Sequence, residues 1–495
     1  MVSNPADEQQ LHNLSQACAT LESLLPAGIL IAEASSRAVY DCDGFTARKA
    51  LPGLVVLPET SDQLQIILRT ARRFSVPVTV RGAGTGLSGG ATPCPYGILL
   101  VMTRFSRIIS IDPLARIAHV EPGVRNISVS EAAAPHGLFY APDPSSQIAC
   151  TIGGNVAENA GGVHTLKYGL TFHNVLMVRG LTMEGETLTL GSLAPDTPGP
   201  DLLPLVIGSE GLLMIMTDIW LRLLPKPEYA QCMLASFASV EQAARAVASI
   251  IASGPVPAGL EMMDQAMIRA TEDFVHAGYD VNAAALLLCE ADGSREDVEE
   301  DMTIIRQLMM DAGAGHIMLS QSEAQRLQFW KGRKNAFPAC GRLSPDYFCM
   351  DGSIPRYRLP EVLAAIAARS AEYGLRCLNV FHAGDGNLHP LILFDAASPE
   401  ESGKAEALGL DILRICVDLG GSVTGEHGVG IEKLDAMCHQ FPEQTLRFFF
   451  SVKDAFDPYG LLNPGKAIPT TTHCAELGGM HVHHGDLPFT ELSRF

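Results

Sequence analysis

A chain of 495 residues is too long for a single hydrophobic core, so two or three domains are expected. With 47% apolar and 18% charged residues the composition is globular, and a net charge of −20 excludes nucleic acid and anionic lipid as general partners, since both would repel it. The twelve cysteines stand singly from Cys18 to Cys474 without a CxxC pair, which favours reduced thiols over a disulfide framework and excludes a recognisable iron–sulfur ligand set.

The opening MVSNPADEQQ has no basic segment followed by an apolar stretch, so no secretory leader is expected and a cytoplasmic location follows. The first forty-odd residues read as helical and without chemistry. Leu54 to Leu57 is a short strand, and Thr60 with Gln63 opens a helix as a capping box. Leu64, Ile67, Leu68 and Ala71 give that helix one apolar face. Val76 to Val80 is a second strand, running straight into the loop Arg81-Gly-Ala-Gly-Thr-Gly-Leu-Ser-Gly-Gly90.

Gly84-Thr85-Gly86-Leu87-Ser88-Gly89 satisfies GxGxxG, but Pro93 and Pro95 forbid the helix that a nicotinamide-type dinucleotide fold needs there. No Gly-Lys-Ser/Thr follows, so a P-loop fails as well. What remains is a nest of backbone N–H groups suited to an anion, against the alternative of a tight surface turn. A second glycine-rich loop spans Gly153-Gly154-Asn155 and Asn159-Ala160-Gly161-Gly162, and two such loops suit the two phosphates of one dinucleotide.

Gly211 to Leu224 is apolar but short and carries Asp218 and Arg222, so it reads as a buried strand and not as a membrane span. Pro225-Lys226-Pro227 marks a boundary. Beyond it, Leu286 to Cys289 and His316 to Leu319 read as strands, and Arg295 to Ala312 and Glu323 to Phe337 as helices. A further helix, Leu359 to Tyr373, ends at Gly374 as its C-cap. The tail from Thr470 holds His473, His481, His483 and His484, which read as surface residues before a metal site.

His382 and His389 stand seven residues apart across Gly384-Asp385-Gly386, and Glu426-His427 follows between Gly425 and Gly428. Two imidazoles and a carboxylate are a competent set for a divalent ion such as zinc, iron or manganese. The alternative, ordinary polar residues in turns, loses to the glycine-bracketed clustering. Asp385 and Asn387 read as turn formers, Lys331 as a solvated cation, and Trp330 as equally suited to core or pocket.

The segments Arg81–Gly90 and Ala141–Gly162 closely resemble the vanillyl-alcohol-oxidase-type FAD-binding domain. Nearly the whole chain is similar to the family of FAD-linked D subunits of bacterial glycolate oxidase, whose relatives are D-lactate and D-2-hydroxyglutarate dehydrogenases. The resemblance implies an α+β fold: a helical segment at 1–48, a two-subdomain (PCMH-type) FAD-binding domain at 49–227, and an α/β substrate or cap domain at 228–469 with a largely antiparallel sheet. Residues 440–469 would return to the flavin site, and 470–495 form the tail. It implies non-covalent FAD, because Thr85 stands where covalent members carry histidine. The implied cofactor residues are Gly82, Ala83, Gly84, Thr85, Gly86, Leu87, Ser88, Gly89, Pro142, Asp143, Thr151, Gly153, Gly154, Asn155, Asn159, Ala160, Gly161, Gly162, Glu210, Gly211, Ile215 and Asn463. For Asn463, in the closing motif Asp457–Lys466, a plain turn is an equal alternative.

By the same resemblance His382, His389 and Glu426 are metal ligands, His427 is the catalytic base and Arg333 holds the substrate carboxylate. Cys349 and Leu391 replace a lysine and an asparagine of relatives that oxidise D-2-hydroxyglutarate, which points to a small monocarboxylate, glycolate or D-lactate. The implied partners are a second flavin-type subunit and an iron–sulfur subunit, with membrane association only through them. One departure is Met214 in Gly208-Ser-Glu-Gly-Leu-Leu-Met-Ile215, where the family has a glycine beside the cofactor. It leaves open a paralogue that no longer binds FAD; a flavin-free metallohydrolase would leave the glycine loops unexplained.

Overall fold

The computed structural model describes residues 5–194, 196–197 and 199–469, which form two compact units. The first takes the described residues of Met1–Ala160, Leu170–Pro225 and His427–Phe495; the second takes Gly161–Gly169 and Lys226–Glu426. The histidine-rich tail lies outside the described residues.

The first unit contains two sheets with separate cores. In one, Leu54–Val56 and Val78–Arg81 both run parallel to Ile98–Val101, and Leu30–Ile31 joins antiparallel. Thr60 caps the helix Ser61–Arg73 as predicted, its Oγ1 accepting from the Gln63 N–H at 3.3 Å, but the reciprocal bond of a capping box is displaced by one residue: Gln63 Oε1 accepts from the Glu59 N–H at 2.8 Å. Its anticipated face, Leu64, Ile67, Leu68 and Ala71, is fully buried against Leu14, Ala17 and Leu21 of the helix Pro5–Leu24. The other sheet is antiparallel, in the order Ile108–Asp112, Ile117–Val120, Ile215–Arg222, Val175–Leu181, Thr187–Gly191. The apolar stretch ending at Leu224 thus supplies the central strand, as its composition suggested.

Two local readings are corrected here. The region around Gly153 is not a loop: Ile152–Glu158 is a short helix, with Thr151 Oγ1 accepting from the Gly154 N–H and Asn159 in the left-handed conformation at its end (φ +54). Glu323–Phe337 is not one helix. It stops at Lys334, and Ala336–Cys340 starts anew, because the Pro338 ring would clash with the Lys334 carbonyl of a continuous helix.

Where the chain re-enters the first unit, the helix Glu443–Phe456 carries a buried cation. Lys453 Nζ donates to Asp457 Oδ2 (2.6 Å) and to the carbonyls of Leu212 and Leu462 (2.7 Å each), and Leu462 in turn bridges Val78 beside the parallel sheet.

In the second unit nine strands form an antiparallel assembly among the described residues, ordered from Ala314–Leu319 through Tyr229–Phe237, Ala285–Gly293, Gly259–Asp264 and Arg376–His382. The central strands Tyr229–Phe237, Gly259–Asp264 and Ala285–Gly293 are buried along most of their length on both faces, so they are mostly apolar and do not alternate strictly with polar residues. Cys232, Leu234, Met263, Leu286, Leu288, Leu378 and Val380 pack with Met267 and Ile268 of the helix Gln265–Val275 and with Phe329 and Trp330 of Glu323–Lys334. Glu261 interrupts the strand Gly259–Asp264 on this same face, two residues before Met263. It is directly opposite His382 in the register.

Lys453→Met should cost about 3–5 kcal/mol, because Asp457, 0% exposed, would remain buried as an unpaired charge. Chemical denaturation should show this loss. The double variant with Asp457→Asn should recover most of it.

Candidate functional site

The first unit holds a loop built to receive anionic groups. From Gly82 to Gly89 no backbone N–H donates to another described residue, so this run of amides has no acceptor within the protein, as a nest for an anion requires. Gly84 has φ +72, and a Cβ there would fall 2.1 Å from the Arg81 guanidinium folded beneath the loop. The Arg81 Nη1–H donates to the Cys42 carbonyl at 2.5 Å, and Asp43 Oδ2 accepts from the Ala91 N–H at 3.0 Å. The N-terminal segment therefore does carry part of the site, contrary to its reading as helical and without chemistry.

Of the expected cofactor residues, those from Gly82 to Ala160 and Glu210, Gly211, Ile215 and Asn463 lie in this unit. A Cβ on Gly82 would lie 2.3 Å from Thr151 Oγ1, so the glycine loop abuts the N-terminus of the helix containing Gly153, Gly154 and Asn155. That end presents the positive side of the helix dipole, while Asn155 Oδ1 accepts from Asn126 Nδ2, whose amide also reaches the Pro142 carbonyl. Ser88 Oγ and Thr92 Oγ1 are buried hydroxyls without a hydrogen-bond partner among the described residues, as a cradle awaiting a polar ligand requires. Asn463 reaches the same place, with Nδ2 donating to the carbonyls of Gly90 (3.0 Å) and Glu210 (2.6 Å). Gly161 and Gly162 belong to the second unit.

Met214 is 2% exposed and packs in the core of the antiparallel sheet with Val156 and Val178. Its methyl group fills the space above Gly180, where a Cβ would lie 2.6 Å away. The methionine is absorbed by apolar packing, and the glycine on the neighbouring strand makes room for it.

Two buried carboxylates lie behind the loop. Glu210 (φ +51) accepts from the N–H groups of Val429 and Gly430 at 2.6 Å each. Glu158 points at the same turn: a Cβ on Gly428 would lie 2.1 Å from Glu158 Oε2 and 3.0 Å from Glu210 Oε1. Burial, followed by the neighbouring Glu210 and Asp43 charges, pushes Glu158 well above the ordinary carboxylate range, and Lys433 and Lys466 offset this only in part. Lys466 Nζ donates to the carbonyls of Gly90 (3.0 Å) and Thr92 (2.5 Å) and to Asn463 Oδ1 (2.7 Å), and burial lowers it to about 8.

The second unit holds the cluster of imidazoles and carboxylates. His382 ends the strand Arg376–His382, and His389 immediately precedes the strand Pro390–Phe394. Their rings cross at 81° with centroids 5.1 Å apart. Glu426 Oε1 lies 3.2 Å from His382 Nε2 and 3.3 Å from His389 Nε2, and one ligand atom from each of the three falls within 4.8 Å of the others. Asp385 Oδ1 accepts from the Asn387 N–H and shapes the turn, as expected. A side chain at position 425 would displace the Asn387 amide, since a Cβ there would lie 2.3 Å from it. His427 is half-buried, and the division between the units runs between it and Glu426.

Arg333 is 2% exposed, and its Nε–H donates to Glu261 Oε2 at 2.7 Å. Its two terminal nitrogens donate to no described residue and remain available for a ligand. Lys331 and Lys334 on the same helix are exposed, while Trp330 is core, with its indole N–H donating to Glu290.

Two residues were missed in the sequence reading. Glu261 has no motif around it; only its position as a carboxylate among the apolar residues inside a strand marks it. Asp351, 0% exposed, accepts from Thr424 Oγ1 (2.7 Å) and from the N–H groups of Gly425 (3.2 Å) and Glu426 (3.0 Å), so it holds the Glu426 turn in place. It also lies 3.6 Å from His389 Nε2.

A glycine nest in one unit suits an anionic ligand, and a cluster of histidine, carboxylate and arginine on an antiparallel sheet in the other suits a cation and a carboxylate. The model "FAD binding domain" matches residues 52–191 and "FAD linked oxidases, C-terminal domain" matches 226–467. The glycolate oxidase subunit GlcD of Escherichia coli (strain K12) is 60% identical over 92% of this chain and 91% of its own length; that of Bacillus subtilis (strain 168) is 36% identical over 87% and 92%. The D-lactate dehydrogenase of Anaerostipes hadrus is 31% identical over 84% and 90%. Among solved structures, p-cresol methylhydroxylase with substrate bound matches with a TM-score of 0.77 at 17% identity, covering 93% of this chain and 98% of that one. The chain belongs to the FAD-linked oxidases, in the family of the glycolate oxidase subunit GlcD. No helix among the described residues is long and apolar enough to cross a membrane.

The raised Glu158 makes a pH prediction. Its folded pKa lies above the unfolded value of 4.5, so between the two the native state holds more protons and stability falls as pH rises; below 4.5 this loss is absent. Glu158→Gln, neutral at every pH, should therefore leave stability at pH 4–5 unchanged and raise it at pH 7.5 by at least about 1 kcal/mol. Thermal unfolding of the first unit, followed across that pH range, measures both.

Proposed function

We propose that this chain oxidises a small D-2-hydroxy acid, glycolate to glyoxylate or D-lactate to pyruvate, at a metal-assisted site. FAD, held non-covalently, supplies the hydride acceptor, and a divalent ion supplies a Lewis acid that favours the ionised 2-hydroxyl. The nest at Gly82–Gly89, the unpartnered Ser88 and Thr92 hydroxyls and the adjoining helix N-terminus fit the cofactor's pyrophosphate. Two imidazole nitrogens and a carboxylate oxygen fit zinc, iron or manganese, with His382, His389 and Glu426 as ligands.

The observation that carries the reading is the buried arginine beside that cluster. Arg333 offers its two terminal amino groups as a planar fork to the substrate carboxylate. His427, which directly follows Glu426 in the chain, accepts the hydroxyl proton. Cys349 and Leu391 are directly opposite each other on neighbouring strands, so both departures from the dicarboxylate-oxidising relatives fall at one apolar spot, which favours a monocarboxylate. The packing of Met214 in the core supports the flavin reading over a flavin-free paralogue.

With FAD bound, electrons would pass on to a partner, since the chain has no iron–sulfur ligand pattern of its own. We assign that role to a second flavin-type subunit and an iron–sulfur subunit, with any membrane contact made through them from the cytoplasm.

Anaerobic addition of glycolate or D-lactate should bleach the flavin absorbance, while L-lactate and D-2-hydroxyglutarate should do so far more slowly. Equal rates with all four acids would overturn the substrate assignment. His427→Ala should remain yellow and lose about 10²–10⁴-fold in bleaching rate. Removing metal with a chelator should slow bleaching in a way that added divalent ion restores.

A further inference from the structure

The carboxylate of Glu261 occupies a position that nothing in the proposed chemistry uses. It is 1% exposed, in the middle of the strand Gly259–Asp264. Its two oxygens are divided between two functional side chains: Oε2 accepts from Arg333 Nε at 2.7 Å, and Oε1 meets His382 Nδ1 at 2.7 Å. The division follows from the fold. Glu261 is the direct cross-strand partner of His382, and the helix Glu323–Lys334 lays Arg333 over the same face of the sheet.

An isolated carboxylate would not remain ionised in such a place. The Arg333 guanidinium, charged at any ordinary pH, lies 2.7 Å from one oxygen and is the counter-charge that keeps Glu261 ionised. An ionised carboxylate only accepts hydrogen bonds, so His382 must carry its proton on Nδ1, which leaves Nε2, the nitrogen facing Glu426, as the ligand atom. The same carboxylate takes up Arg333 Nε and turns the two terminal amino groups outward.

The geometry points to Glu261 as a positioning residue that serves two sites at once, fixing the tautomer of the metal ligand His382 and aiming Arg333 at the substrate carboxylate. This rests on the reading of His382, His389 and Glu426 as metal ligands. A purely structural ion pair would stabilise the sheet without linking metal affinity to substrate recognition. The shared carboxylate couples them. An amide in its place can accept from only one of the two donors and turns its own N–H₂ toward the other.

The test uses the full-length flavoprotein, stripped of metal with a chelator, and compares wild type with Glu261→Gln and Glu261→Asp. Cobalt or zinc affinity is read by competition with a chromophoric chelator, and KM and kcat for glycolate are measured separately at saturating metal. Glu261→Gln should weaken metal binding about 10–100-fold and raise KM with a smaller change in kcat; Glu261→Asp, which keeps the charge on a shorter stem, should fall between it and wild type. A folded Glu261→Gln with wild-type metal affinity and KM would overturn the inference and leave the metal reading standing. If that variant does not fold, wild-type values for Glu261→Asp would overturn it equally. A wild type that takes up no ion would remove the metal reading, and this inference with it.

Discussion

A charge removed from water must find an opposite charge and enough hydrogen bonds, or it will not stay charged. Much of the second unit is arranged around meeting that demand at Glu261. The carboxylate sits in an apolar sheet, where the Arg333 guanidinium from a covering helix meets its charge and His382 from the adjacent strand gives it a second hydrogen bond. Helix, sheet register and cluster are thereby tied to one another. Sliding the strands by one residue would turn His382 to the opposite face and leave Glu261 unpaired.

The first unit solves a related problem by different means. Its loop exposes amides rather than burying charge, and the polar groups behind it are neutralised by proximity. Asp43, Glu158 and Glu210 converge with Lys433 and Lys466, and the closing segment ties in through Asn463. Burial raises Asp43 and Glu210 and lowers Lys466, and it acts most strongly on Glu158, whose carboxyl is pushed toward its neutral form. A backbone nest offers no charge that could be lost or misplaced, which suits a pocket for a large anionic cofactor.

Elements with local signals were legible in the sequence. The Thr60–Gln63 cap, the apolar face at Leu64–Ala71, the proline veto after Gly90 and the turn at Asp385 all involve residues within a few positions of one another. The His382, His389 and Glu426 grouping was legible because glycine brackets mark it, and the structure brings the three together. Glu261 was not legible. It meets His382 across 121 positions, and nothing local distinguishes a functional carboxylate in a strand from one at its exposed end. Asp43 was missed for the same reason, since Ala91 lies 48 positions away. The Gly153-Gly154 pair misled in the other direction: glycine weakens a helix, yet the Thr151 cap and the packing of Ile152 and Val156 sustain one.

The central claim is that one chain carries both a flavin and a catalytic divalent ion, in separately built sites. The most direct measurement is the flavin and metal content of the purified protein, by absorbance and elemental analysis, beside that of His389→Ala. The account predicts about one FAD and one ion per chain, with the variant losing the ion while keeping the flavin. Protein that stays colourless after reconstitution with FAD, or a metal content that His389→Ala leaves unchanged, would contradict it.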